Sequence, residues 1–287
     1  MKAFLKPNRD PSLPTVRPVD FRNGVELEAA GPYLTRRSIP VVAALGGKIG
    51  VEGTASIIEI AGQHFLVTVG HLLEGATDSK ASILIPDQRG GFIEYDGPIT
   101  YMAEDDDVDR VDVGVGQLTP ALARRLTAIY QPLTLADVYT REEPIADVYA
   151  VVGFLASDPA ARRPTPRVHV ATIYEGEPPE QFRESIKKDV HFLLDLRNQV
   201  RDRSDRLVPT PSMKGMSGSP VWCMTAPTGA AWSPSCLRVL AIQTRVLIEP
   251  TETWIRCTGW GCVAGVLWDM FPATRSALEA AWGAPPK

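Results

Sequence analysis

Lys214-Gly215-Met216-Ser217-Gly218-Ser219-Pro220-Val221-Trp222 is the stretch on which the reading of this chain turns. It sets a serine between two glycines, in a loop that runs into an apolar strand. Small neighbours let the backbone turn tightly and let a carbonyl group come close. They also let the amides of Gly215 and Ser217 converge on one point. A serine so placed suits a nucleophile beside an oxyanion hole. Taken alone, Gly-x-Ser-Gly is a loop motif, and a structural role fits it equally well.

A serine hydroxyl attacks only when a base takes its proton, and the sequence offers four histidines. His64 flanks a hairpin, His169 lies in a strand after a proline-rich loop, and His191 lies in an apolar strand. These three read as structural. His71 follows the apolar strand Phe65 to Val69 through Gly70 and opens Leu72-Leu73. A strand end is where a rigid scaffold can present a base. An acid must then hold the imidazole tautomer and stabilise the imidazolium. The run Glu104-Asp105-Asp106-Asp107 reads as a solvated loop. Asp112 is flanked by Val111, Val113 and Val115, and so reads as an acid inside an apolar strand. Burying it without a partner would be costly. His71 supplies the partner.

Farther out, short β-type runs dominate. Ala55 to Ile60, a turn at Gly62-Gln63 and His64 to Val69 predict a hairpin. Ser82 to Ile85, Gly91 to Tyr95 and Arg110 to Val115 continue the series. Thr119 before Pro120 and Ala121 to Leu126 predicts a capped short helix. After a polar boundary at Thr140 to Pro144, strands are predicted at Asp147–Phe154, Arg167–Tyr174, Val190–Leu196, Ser219–Met224, Leu237–Val246 and Thr253–Thr258. Pro179 to Lys188 suits a short helix and Arg197 to Arg206 a solvated loop, while Thr274 to Trp282 suits a terminal helix. Residues 1–40, punctuated by six prolines, read as an extended arm.

Composition limits the rest. Hydrophobic residues make up 44% and charged residues 22%, which is globular rather than disordered. A net charge of −4 argues against a nucleic-acid or polyanion binder. No basic amphipathic stretch or spanning apolar run points to a membrane. The first residues carry Lys2, Lys6 and Arg9 with no apolar run, so no conventional signal peptide is read there and a cytoplasmic location is expected. Cys223, Cys236, Cys257 and Cys262 fit neither a zinc ribbon nor a dense disulfide framework. Buried or half-buried thiols are expected, with one or two disulfides left open. No metal ligand set is found.

The order His71, Asp112, Ser217 is that of chymotrypsin, and differs from the orders of subtilisin and the α/β-hydrolases. At these residues the sequence resembles the trypsin-like (chymotrypsin-fold) serine peptidases, over roughly residues 50 to 270. Gly53-Thr54-Ala55-Ser56-Ile57-Ile58 resembles the entry into the histidine hairpin. Thr68-Val69-Gly70-His71 is similar to Thr-Ala-Ala-His, and Val111-Asp112-Val113-Gly114-Val115 to the aspartate strand. Val151-Val152-Gly153-Phe154 resembles the strand opening the second barrel, and Val239-Leu240-Ala241-Ile242 the strand after the nucleophile loop. Three positions depart from the pattern. Met216 stands where secreted members carry an acid that pairs with a freed N-terminus, and Ser219 replaces a second glycine. Thr244-Arg245-Val246 stands where many relatives have Ser-Trp-Gly. With no signal peptide read, the chain is most similar to a divergent intracellular bacterial-type branch.

The resemblance implies an all-β fold: two antiparallel six-stranded β-barrels with a C-terminal helix. The first barrel is expected over 41–143, with His71 and Asp112, and the second over 144–287, with Ser217. It implies a serine endopeptidase working through an acyl-enzyme intermediate, without metal or organic cofactor. Ser217 is then the nucleophile, His71 the general base and acid, and Asp112 the orienting group. Gly215 and Ser217 give the oxyanion-hole amides. A peptide or protein substrate would lie extended along Thr244, Arg245 and Val246, and an activating protein partner stays open. Six residues before the nucleophile stands Pro211, not an acid, so a small or apolar residue is expected before the cut. A catalytically silent binding module on the same fold is the alternative, with esterase or other acyl-transfer activity as a smaller branch.

Overall fold

Consecutive buried apolar residues, Ile57-Ile58 and Phe65-Leu66-Val67, flank a tight turn at the centre of the first half. In this computed structural model the hairpin pairs Ser56 with Val67 and Ile60 with Gln63, turning at Ala61-Gly62, both at positive φ. The structure describes residues 16–18, 25–45, 48–87, 89–102, 111–140, 148–156, 164–187, 190–196, 199–201, 207–209, 212–229, 231–248 and 253–283.

In chain order, the first half contains β1 (Val16–Pro18), α1 (Val25–Thr35), β2 (Ile39–Leu45), β3 (Lys48–Ile60), β4 (Gln63–Thr68) and α2 (Gly70–Asp78). Then come β5 (Ser82–Pro86), β6 (Phe92–Glu94), β7 (Ile99–Met102), β8 (Val113–Gln117) and α3 (Pro120–Thr127). The second half contains β9 (Tyr149–Phe154), β10 (Pro166–Ile173), β11 (His191–Asp195), β12 (Gln199–Arg201), β13 (Leu207–Pro209) and β14 (Pro220–Cys223). It ends with β15 (Thr225–Pro227), β16 (Arg238–Ile248), β17 (Thr253–Gly259), α4 (Trp260–Met270) and α5 (Arg275–Trp282).

Two antiparallel β-structures carry the fold. The second half forms a closed six-stranded barrel in the order β10-β11-β17-β16-β14-β9. In the first half, seven strands lie in the order β6-β5-β2-β3-β4-β8-β7. Among the described residues that ladder does not close, and it has one strand more than expected. β7 is the addition: its Thr100 and Tyr101 pair with Val115 and Gly114 at the sheet edge.

Several sequence expectations are corrected. The arm is not extended throughout: α1 crosses Pro32 and buries Ala30 and Leu34 in the main core. β2 begins at Ile39, inside the expected arm, so the first unit starts earlier than residue 41. Residues 1–15, 19–24 and most of the boundary at Thr140 to Pro144 lie outside the described residues. Part of the expected solvated loop at Arg197 to Arg206 is strand, since Val200 pairs with Val208. Pro179 to Lys188 contains a short 3₁₀ helix, Glu180–Ser185.

α4 went unpredicted because Trp260, Cys262, Val263, Ala264, Gly265, Val266 and Leu267 are all buried, leaving no polar face to set a helical period. It packs against β8 of the first half, and Phe271 after it meets Phe65 at 4.8 Å between ring centroids. The C-terminal helices therefore clamp the two halves together rather than capping the second barrel alone. The expected cap at α3 forms, with the Leu122 amide donating to Thr119 Oγ1. The cysteines are thiols, three buried and Cys236 half-buried. Among the described residues no helix is long and apolar enough to cross a membrane.

Candidate active site

His71 sits in the first turn of α2, directly after β4 ends, so the expected strand end is continued by a helix. The first amides of a helix have no partner within it and carry partial positive charge. Asp112 answers both needs. It stands just before β8 rather than inside a strand, and is 1% exposed. Its Oδ1 accepts the His71 backbone amide at 2.9 Å, and its Oδ2 lies 2.7 Å from His71 Nδ1. A buried carboxylate is thus held by two hydrogen bonds from one residue. Asp112 fixes the ring and leaves Nε2 facing outward, and the imidazole is about half exposed.

Ser217 comes from the loop between β13 and β14. It lines the same cavity as His71, a cleft of about 630 Å³ whose other walls include Met213, Lys214, Gln243, Thr244, Arg245 and Val246. Among the described residues the hydrogen bonds of His71 run to Asp112, and Ser217 Oγ makes none to the imidazole. Among the described residues no cluster of three or more His, Cys, Asp or Glu side chains could hold a metal ion.

The loop backbone is tied down on every side. Lys214 O accepts the Ala156 amide at 2.8 Å, and Met216 O accepts the Ser219 amide at 2.8 Å. The Met216 amide donates to Met213 O at 3.0 Å, and the Gly218 amide to Gln243 O at 2.8 Å. In a trans peptide unit the C=O and N–H point in opposite directions. Anchoring Lys214 O therefore turns the Gly215 N–H away from Ala156, and anchoring Met216 O turns the Ser217 N–H away from Ser219. Among the described residues neither amide donates to another protein group. The loop needs left-handed backbone at Gly215 (φ 92°) and Gly218 (φ 87°), which only glycine adopts cheaply.

Thr244, Arg245 and Val246 all line the cleft, on β16. β14 pairs with β16 only as far as Ile242, while β17 continues alongside to Ile248. Thr244 is buried, Val246 half-buried and Arg245 exposed. Behind them Arg256 is fully buried, and its Nε donates to Thr244 Oγ1 at 3.1 Å.

The other singled-out histidines stand apart. His64 faces Glu59 across the hairpin, His191 Nδ1 accepts the Lys187 amide, and His169 is buried on β10. Burial, helped by Arg167, pushes the His169 pKa down to about 4. Pro211 and the acidic run at Glu104 to Asp107 lie outside the described residues. The sequence reading did not single out Thr54, whose amide donates to Ser217 O at 2.8 Å. A threonine in an apolar hairpin gave no signal of that contact.

With this geometry in place, comparison with known proteins bears on the fold. No family model matches the chain, and no curated protein matches it. Among solved structures, protease Anisep from Arthrobacter nicotinovorans is similar, with a TM-score of 0.50 at 12% identity, covering 84% of this chain and 96% of its own. The fold is that of the trypsin-like serine proteases. A thermostable serine protease, AL20, from an extremophilic microorganism has a TM-score of 0.46 at 11% identity, covering 82% of this chain and 97% of its own. A scabies mite inactivated protease paralogue has a TM-score of 0.48 at 13% identity, covering 83% and 95%. At such identities the likeness describes the fold and leaves the chemistry to the residues themselves.

Proposed function

We propose that this protein is a serine endopeptidase in which Ser217 attacks the peptide carbonyl. His71 takes the serine proton as general base and then returns it to the leaving amine. Asp112 holds the ring in the needed tautomer and stabilises the imidazolium. The N–H groups of Gly215 and Ser217 bind the oxyanion. The observation that carries this reading is the buried Asp112 bonded to both the ring and the amide of His71, with Ser217 in the same cleft.

A peptide or protein substrate would lie extended along Thr244 to Val246, which line the cleft beside Ser217. Leu196, Met213 and Val246 in the cleft wall suit a small or apolar residue before the cut. The reading uses no metal or organic cofactor, and places the protein in the cytoplasm, away from nucleic acid and membrane.

The decisive experiment is labelling with a fluorophosphonate. A stable adduct on Ser217 in the native protein, absent in Ser217→Ala and His71→Ala, is expected. Cleavage of a peptide library should then fall by orders of magnitude in both variants. An unlabelled Ser217 in folded protein would instead indicate a silent binding module on the same fold. Labelling with ester turnover but no peptide cleavage would restrict the activity to acyl transfer.

A further inference from the structure

Thr54, on β3 of the first half, reaches across to the nucleophile loop of the second and uses every polar atom it has. It is fully buried. Besides the amide bond to Ser217 O, its hydroxyl donates to Gly215 O at 3.1 Å and accepts the Phe154 amide at 3.0 Å. Its carbonyl accepts the Thr68 hydroxyl at 2.7 Å. One residue thus joins β3, β4, β9 and the loop.

The peptide units of that loop alternate in role. Units 214–215 and 216–217 carry the two N–H groups proposed for the oxyanion. Units 215–216 and 217–218 lie beside them, and Thr54 binds the carbonyls of both. Gly215 can rotate readily, because glycine has the widest choice of φ and ψ. Its carbonyl is the one that the Thr54 side chain holds. Met216 is fully buried and has no charge with which to fix the loop by an ion pair.

We propose that Thr54 is the positioning residue of the oxyanion hole. Its hydroxyl bridges Phe154 N and Gly215 O, and so does by neutral hydrogen bonds what a buried ion pair at position 216 would otherwise do. This rests on Ser217 being the nucleophile. Thr54 is fully buried, so removing the hydroxyl leaves one acceptor and one donor without that bond. The loop then relaxes at Gly215, and the amide next to it leaves its line.

The test compares wild type, Thr54→Val and Thr54→Ser by two independent readouts: steady-state kinetics on a cleaved peptide, and hydrogen exchange of the loop amides. Valine keeps the shape and removes the hydroxyl; serine keeps the hydroxyl. Thr54→Val should lower kcat by about 100-fold with KM within about threefold, the pattern of a lost oxyanion donor. The Met216 and Ser219 amides should exchange at least about tenfold faster. Thr54→Ser should recover most of both losses. Unchanged exchange in the valine variant, or a serine variant as impaired as valine, would overturn the proposal. If Ser217 of wild type does not react with a fluorophosphonate, the nucleophile reading fails, while exchange still decides whether Thr54 holds the loop. Should the valine protein not fold, Thr54→Ala, which adds no bulk, is put through the same two measurements.

Discussion

The two halves of this site are held in different ways. The His71 half depends on one side chain: Asp112 makes both hydrogen bonds that orient His71. The Ser217 half depends on the main chain, with the carbonyls of Lys214, Gly215, Met216 and Ser217 each accepting a bond from another group. A device made of one carboxylate can be removed by one substitution that leaves the backbone alone. A device made of backbone bonds resists side-chain changes but fails when the backbone path itself is blocked. The difference sets how each half should respond to mutation.

The largest effect is expected where one side chain does the work. Asp112→Asn keeps the size and the bond to the His71 amide but presents the wrong partner to the ring. Activity should fall by about 10⁴-fold, about 5.5 kcal/mol of transition-state stabilisation, with the fold intact by circular dichroism. A loss below about tenfold would mean that His71 is held by something other than Asp112.

Gly218→Ala probes the backbone half. A Cβ there would lie 2.0 Å from Thr54 O and 2.3 Å from Thr68 Oγ1, at a φ that side chains rarely adopt. Neither neighbour can move without breaking the bond between them. The expected cost is roughly 3–4 kcal/mol in urea unfolding, with loss of fluorophosphonate labelling. A variant as stable as wild type would show that the loop is looser than its hydrogen bonds suggest.

Acid should separate the halves next. His169, in the barrel that carries Ser217, has its pKa lowered from 6.5 to about 4, chiefly by burial. Between those values the unfolded chain binds a proton that the folded chain does not, so stability falls as pH drops from about 7 to 4 and levels off below. The contribution is on the order of 3 kcal/mol, and His169→Leu should flatten that part of the profile. An unchanged slope would mean that other groups govern it.

Much of this arrangement was legible because the chemistry is local. The hairpin around Gly62, the cap at Thr119 and the flanks of Asp112 and Ser217 follow from neighbouring residues. What was not legible depends on distant packing. α1 runs through Pro32, whose sequence signal is to stop a helix, but Ala30 and Leu34 gain a place in the core. α4 is buried all round and shows no period. His71 reads as the end of a strand, since nothing in Gly-His-Leu-Leu reports that a carboxylate far along the chain caps the turn that follows. Thr54 was hidden in the same way. Three of its four partners are main-chain groups, which leave no mark in a sequence.

The smallest effect is expected at Met216, where the resemblance to secreted peptidases would lead one to expect the largest. The resemblance implies that in those peptidases the residue before the nucleophile is an acid that pairs with a freed amino group. Here the side chain is fully buried in the core of the second barrel, and the loop is fixed by bonds from Ala156, Ser219, Gln243 and Thr54. Met216 therefore acts as filling. Met216→Leu conserves volume and polarity and should cost less than about 1.5 kcal/mol in urea unfolding. Met216→Asp, the control, places a carboxylate with no cation in that core and should cost several kcal/mol at neutral pH. Were the aspartate variant as stable as the leucine one, a cation would have to reach position 216. The backbone-held account of this half would then give way to an ion-paired one.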